Sequence, residues 1–301
     1  QHGVAVQRDG AAPWAHSDHC NPTANPTEAA FIAHAHSAGV RVLLGVVFNN
    51  SLGSGALFGF LNDPAAMELS ASSMCARAQE ARCDGLSVDF EVGNTRHNET
   101  FKGLYAGYIN RISSAASKLK LSVVPTLFMD IPSCEGVDAK AVVAAASGGT
   151  VLMTYDYHWG CSDKVAGPVA PLFGNNGHNV NATVAWSLAN SMPPADLLLG
   201  VAWYGREYPT TSDEYQAPTN CSETEADQDV KAYQAPLALK RARKFGRGGE
   251  LWDATTQTPW YKFQDRTRPW LWWEGYFDDS RSLALKYELV KERGLKGVLI
   301  W

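Results

Sequence analysis

Apolar residues gather into short runs rich in β-branched and aromatic side chains, at residues 40–48, 85–91, 121–128, 151–157, 197–203 and 297–301, with a weaker run at 3–6. Longer stretches of helical spacing separate them. Near-continuous apolar strands that alternate with helices predict an α/β fold with a parallel sheet buried on both faces. Helix ends are marked in the chain: Pro26 and Pro64 fall at first-turn positions, Gly39 and Gly294 read as C-caps, and Asp278-Asp279-Ser280 reads as an N-cap cluster. Six or seven strand-helix repeats in 301 residues, with no GxGxxG or P-loop opening a helix, favour a (β/α)8 TIM barrel over an open doubly wound sheet. The rhythm breaks between Gly205 and Asp278, where a helix is predicted near 230–243 and short aromatic strands near 250–252, 260–263 and 270–277. Residues 1–301 are therefore expected to form a single domain, with 206–277 inserted between strand 7 and the last helix. A first barrel strand is expected upstream of Gln1, in a longer product.

Charge and composition narrow the function. Lys and Arg number 26 against 31 Asp and Glu, a net charge of −5, and no basic run is long enough to neutralise phosphates. Nucleic-acid binding is not expected. No stretch approaches the length of apolar sequence that a spanning helix needs. The six cysteines (20, 75, 83, 134, 161 and 221) include no CxxC pair, which disfavours zinc clips and redox motifs. Together with N-x-S/T sequons at Asn49, Asn98, Asn181 and Asn220, they favour a lysosomal or secreted protein. Cys134 and Cys161 each follow a predicted strand end, so a bridge between adjacent loops is expected there. Cys75 and Cys83 flank a helix-to-strand turn; they are read either as a second bridge or as two small buried hydrophobes.

The chemistry concentrates in Asp84-Gly85-Leu86-Ser87-Val88-Asp89-Phe90-Glu91. With a period of two, Ser87, Asp89 and Glu91 share one face of a strand, and Leu86, Val88 and Phe90 the other. Two carboxylates on the inward face of a buried strand are costly without partners, and the C-terminal end of a barrel strand is where active sites are built. Asp84 has the opposite parity and is read as a structural residue at the strand entrance.

This segment resembles the DGxDxDxE signature of glycoside hydrolase family 18, the chitinase family, with Ser87 at the first Asp of DxDxE. Met153-Thr154-Tyr155-Asp156 is similar to that family's M-x-Y-D, Gly200-Val201-Ala202-Trp203-Tyr204-Gly205 to its G-x-P-x-Y-G, and Gly297-Val298-Leu299-Ile300-Trp301 to its eighth strand ending in Trp. The resemblance implies a retaining glycosidase acting on β-1,4-linked N-acetylglucosamine, in chito-oligosaccharides or in the chitobiose core of N-glycans. Glu91 would be the acid, and the substrate's own 2-acetamido oxygen the nucleophile. Asp89 would orient the acetamido N–H and raise the pKa of Glu91, and Tyr155 would bind the acetamido oxygen. Asp156 would support the same pocket, and Trp301 would floor the sugar subsite. Ser87 departs from the pattern and offers only a weak hydrogen bond, which puts rate and pH optimum in question more than reaction type. A non-catalytic chitinase-like lectin is the alternative.

Further residues are weighed the same way. Trp203 or Tyr204 is expected in the cleft; of Trp272 and Trp273, which alternate on a strand, at least one belongs to the core. His158 either lines the pocket or sits on a surface loop. His16, His19 and Cys20 lack a second ligand pair, so no metal is expected, and no cofactor. The expected partner is a carbohydrate substrate, with no membrane, and the chain a monomer.

Overall fold

A computed structural model describes residues 4–7, 9–12, 26–48, 54–90, 99–128, 137–221 and 230–301. Contacts divide the chain into two compact units, Gln1–Val151 with Asn190–Leu197, and Leu152–Ala189 with Leu198–Trp301.

In the first unit, strands β1 (Val4–Val6), β2 (Leu43–Phe48), β3 (Gly85–Asp89) and β4 (Ser122–Phe128) pair in parallel in chain order. Helices α1 (Pro26–Ser37), α2 (Ser54–Leu61), α3 (Pro64–Glu80), α4 (Glu99–Ser117) and α5 (Ala139–Ala145) fall between or after them. Pro26 and Pro64 open their helices as expected, and the Asp63 side chain caps α3 by accepting from the backbone N–H of Ala65 and Ala66. Gly39 adopts φ +72, the left-handed form of a C-cap. Phe48, Phe60, Phe90 and Tyr108 form an aromatic cluster with ring centroids 5.1 to 6.4 Å apart. The Tyr108 hydroxyl is satisfied inside it by Ser70 Oγ at 2.7 Å.

Entry into β3 is set by two residues. Gly85 leaves no room for a Cβ, which would lie 2.3 Å from the carbonyl oxygen of Ser122. Asp84 accepts the Val42 N–H at 2.7 Å and lies 3.0 Å from His36 Nε2, the structural role predicted for it. That backbone hydrogen bond above all, and His36 and Arg41 beside it, hold its carboxyl below the usual range. Cys75 and Cys83 are buried and unbridged, so of the two readings the small hydrophobes hold.

Strand β5 (Thr150–Met153) carries the chain from one unit to the other. In the second unit β6 (Leu197–Val201) and β12 (Gly297–Ile300) pair in parallel. Between them in sequence lies a five-stranded antiparallel sheet, in the order β8-β7-β11-β10-β9. Its strands are β7 (Tyr204–Thr210), β8 (Lys231–Gln234), β9 (Leu251–Asp253), β10 (Thr258–Gln264) and β11 (Trp272–Tyr276). Helices α6 (Val180–Ala189), α7 (Ala235–Phe245) and α8 (Ser280–Arg293) complete the unit; Asp279 caps α8 and Gly294 ends it at φ +65.

Several expectations need correction here. Residues 231–234, predicted as helix, form β8, and 204–210, unassigned in the sequence, form β7. Cys161 bonds to Cys221, across 60 residues; Cys134 lies outside the described residues. His158 is buried, with Nε2 3.0 Å from Asn175 Oδ1 and its ring against Gly167, so it is neither a surface residue nor placed by these contacts in a cleft. As expected for two residues that alternate on a strand, Trp273 is core, while Trp272 is half-buried. Of the sequons, Asn220 is exposed and Asn181 half-buried; Asn49 and Asn98 lie outside the described residues, as do His16, His19 and Cys20.

Candidate active site

The alternation read from residues 84–91 is visible in β3. Leu86, Val88 and Phe90 are buried, whereas Ser87 and Asp89 are half-exposed on the other face, near the strand's C-terminal end. Ser87 sits in register between Gly45 of β2 and Val124 of β4. One strand over, Thr126 interrupts the apolar run of β4, and its hydroxyl donates to Asp89 Oδ1 at 2.9 Å. Behind β3 the Tyr105 ring is fully buried; burial, and then the Asp89 charge, keep its hydroxyl neutral far above the ordinary tyrosine range. Glu91, the expected acid, lies outside the described residues.

The second unit assembles the other candidates around Tyr155. The chain leaves β5 and turns sharply at Asp156, which has φ +55. Such a conformation is uncommon for a non-glycine residue and needs support from its surroundings. Arg206 supplies it, donating from Nε and Nη2 to the two carboxylate oxygens of Asp156, each at 2.9 Å. Tyr204, two residues earlier on the same face of β7, packs edge-on to Tyr155 with centroids 6.4 Å apart. Its hydroxyl resists ionisation because it is buried and because the Asp156 carboxylate stands beside it.

Trp301 stacks on Tyr155 at 6.5 Å with their planes 5° apart, and stays 46% exposed. Its backbone is pinned on both sides, its N–H donating to Val201 and its carbonyl accepting from Trp203. Gly200 makes the packing possible, since a Cβ there would stand 2.9 Å from the Tyr155 ring and 2.6 Å from the Leu152 carbonyl oxygen. Trp203 is 53% exposed. Tyr155, Asp156, Tyr204 and Trp301 are thus brought together in one unit, and Ser87 and Asp89 in the other. The chemistry on offer is that of carboxylates, phenols and open indole faces, which suits neutral, hydroxyl-rich ligands. Among the described residues no group of three or more His, Cys, Asp or Glu is placed to hold a metal ion. No described helix is long and apolar enough to cross a membrane.

Two residues of these constellations escaped the sequence reading. Arg206 shares the parity of Tyr204 on its strand, and Thr126 is the polar residue within an apolar run. Both signals exist, and neither is strong without the partner in view.

Comparison with known proteins identifies the family and the fold. The profile of glycosyl hydrolases family 18 matches residues 25–301. The chain is 25% identical over 283 residues to di-N-acetylchitobiase of Rattus norvegicus, covering 90% of this chain and 72% of that one. It is 23% identical over 244 residues to a protein of Bacillus subtilis (strain 168) described as a sporulation-specific glycosylase, covering 80% of this chain. The chain spans about half, 52%, of that relative's length. The crystal structure of Ostrinia furnacalis Group IV chitinase in complex with allosamidin superposes with a TM-score of 0.82 at 21% identity, over 99% of this chain and 82% of that one. The fold is therefore the TIM barrel expected from the strand-helix repeats.

Proposed function

The chain belongs to glycosyl hydrolases family 18, and from that premise we propose that it cleaves β-1,4-linked N-acetylglucosamine with retention of configuration, by substrate-assisted catalysis. The carrying observation is the half-exposed Asp89 carboxylate on β3, held by Thr126 two residues before Glu91. An acid that must protonate the leaving oxygen and a carboxylate that must orient the 2-acetamido group belong on one face of one strand, the placement that a period of two in the sequence predicts for Glu91 and Asp89.

Glu91 gives its proton to the glycosidic oxygen as the C1–O bond breaks, and the acetamido carbonyl oxygen of the same sugar closes on C1 from the opposite side. The product of that step is an oxazolinium ion. Asp89 accepts the acetamido N–H and balances the positive charge; Tyr155 donates its hydroxyl to the acetamido oxygen before attack. Water, deprotonated by Glu91, then opens the ring on the face from which the leaving group departed, so the configuration is retained. Trp301, with its exposed face, stacks under the sugar; Asp156 and Tyr204 shape the wall beside Tyr155, and Trp203 offers a further aromatic surface. Substrates of this chemistry are chito-oligosaccharides and the chitobiose core of N-glycans, acted on by a monomer in a secreted or lysosomal setting. The Cys161–Cys221 disulfide supports that setting.

One feature favours a second reading. Ser87 stands where the family pattern has an acid, and a chitinase-like lectin would tolerate that loss. Chitotriose hydrolysis by the wild-type chain and by Glu91→Gln separates the two. The catalytic reading predicts turnover by the wild type and a loss of roughly a thousandfold or more in the variant. Saturable chitotriose binding in calorimetry with no cleavage by the wild type establishes the lectin.

A further inference from the structure

The antiparallel segment of the second unit carries a feature that the proposed hydrolysis does not use. At the C-terminal end of α7, beside β10, lies a cavity of about 220 Å³ where Arg241, Lys244, Arg247 and Arg266 surround the rings of Phe245 and Phe263. Three of these cations crowd one ring: the Arg241 guanidinium and Lys244 Nζ are each 5.1 Å from the Phe245 centroid, and the Arg266 guanidinium 5.7 Å.

Their charges are unequally matched. Glu207 takes Arg241 through two hydrogen bonds. Asp265, the one carboxylate in the lining, is already engaged by Thr267, Arg268 and the Trp273 indole N–H. Arg247 lies 4.0 Å from Asp213, a carboxylate that Lys262 holds closer, at 3.2 Å. Among the described residues, Lys244 and Arg266 have ring contacts and no carboxylate partner. Like charges gathered over a partly desolvated aromatic floor repel one another, and an anion seated between them relieves that repulsion through charge-assisted hydrogen bonds.

A second observation identifies what carries the anion. The loop that follows β10 closes on itself, Asp265 N–H to the Leu271 carbonyl, and the Gln264 amide at the cavity edge donates to the Pro269 carbonyl. That fixed loop presents Trp270 at 70% exposure, the most open of the described large hydrophobics. An open indole on the loop whose Asp265 and Arg266 line the cavity matches a ligand with an apolar ring face beside an acidic group.

We infer that this cavity and Trp270 form a carbohydrate-binding site for an anionic glycan. A sulfate, phosphate or carboxylate substituent seats among Lys244, Arg247 and Arg266, and the adjoining sugar ring covers Trp270. A glycan fits better than a nucleic acid, because a chain of net charge −5 repels a dense polyanion at long range while a sparsely charged saccharide needs one local cluster. The site goes beyond the hydrolytic reading, and a binding measurement tests it whether or not the chain cleaves chitotriose.

Calorimetric titration with a keratan sulfate tetrasaccharide, which carries about one sulfate per disaccharide, at physiological ionic strength decides it, with inorganic sulfate and an oligothymidylate in parallel. The wild type binds the tetrasaccharide saturably and more tightly than either of the other two. The double variant Lys244→Gln/Arg266→Gln weakens that binding at least tenfold, and Trp270→Ala several-fold, with unchanged melting temperatures and unchanged chitotriose turnover. Absent saturable binding, variants that bind like the wild type, sulfate binding as tight as the saccharide's, or tighter binding of the oligothymidylate each overturn the site.

Discussion

Thr126 and Arg206 show how single side chains outside the expected list hold the residues inside it. The Thr126 hydroxyl donates to Asp89 from the neighbouring strand. A hydrogen bond to a charged group is worth about 1.5 kcal/mol or more, so the near-isosteric Thr126→Val should lower kcat/KM on chitotriose roughly tenfold with little change in thermal unfolding. Arg206 holds Asp156 in its left-handed turn through two hydrogen bonds at partly buried positions, with side chains 19% and 26% exposed. Arg206→Gln removes that support; allowing for partial exposure, it should cost on the order of 2 kcal/mol in unfolding free energy and raise KM, both readable by denaturant titration and steady-state kinetics. At this scale the sequence was legible where a short period decided the answer. Ser87 and Asp89 share a face because alternation along five residues leaves no choice. His158 and Arg206 were not legible, because their partners lie 17 and 50 residues away and no local pattern announces them.

Strands were readable as elements and less so at their ends. The run at 151–157 continues through Tyr155 and Tyr157 with no loss of β-propensity, yet the strand stops at Met153 because the chain turns at Asp156. Strand β7 was missed because Gly205, Arg206, Glu207 and Pro209 look like a loop. Its sheet rewards them instead: Glu207 is 1% exposed and satisfied by Arg241 and the Tyr261 hydroxyl. The same sheet buries Glu274, which accepts from the Tyr276 hydroxyl and from the backbone N–H of Gln216 and Ala217. Burial outweighs those bonds and pushes its carboxyl up to about 7. A raised carboxyl binds its proton more tightly folded than unfolded, so stability falls as pH rises from the ordinary carboxylate range to about 7. Thermal unfolding followed across that window should show the decline in the wild type. Glu274→Gln should flatten it, while lowering stability at every pH because an amide N–H faces donors.

For the molecule as a whole, near-continuous apolar strands alternating with helices identified a parallel α/β fold, and the number of repeats in 301 residues, with no GxGxxG or P-loop opening a helix, favoured the barrel over an open sheet. Disulfide pairing was not legible: the residue that reaches Cys161 is Cys221, beyond β7, and its position depends on a sheet whose first strands carried no clear signal. The aromatic excess divides by role. Trp260, Tyr261, Trp273 and Tyr276 fill the second unit's core, whereas Trp203, Trp270 and Trp301 keep open faces suited to sugars. The claim that joins these scales is retention of configuration through the substrate's own acetamido group, and it is read most directly from the anomeric proton signals of freshly released product during chitotriose hydrolysis. Retention releases the β-anomer first, and the α-anomer follows only later, by mutarotation. Initial release of the α-anomer would contradict it.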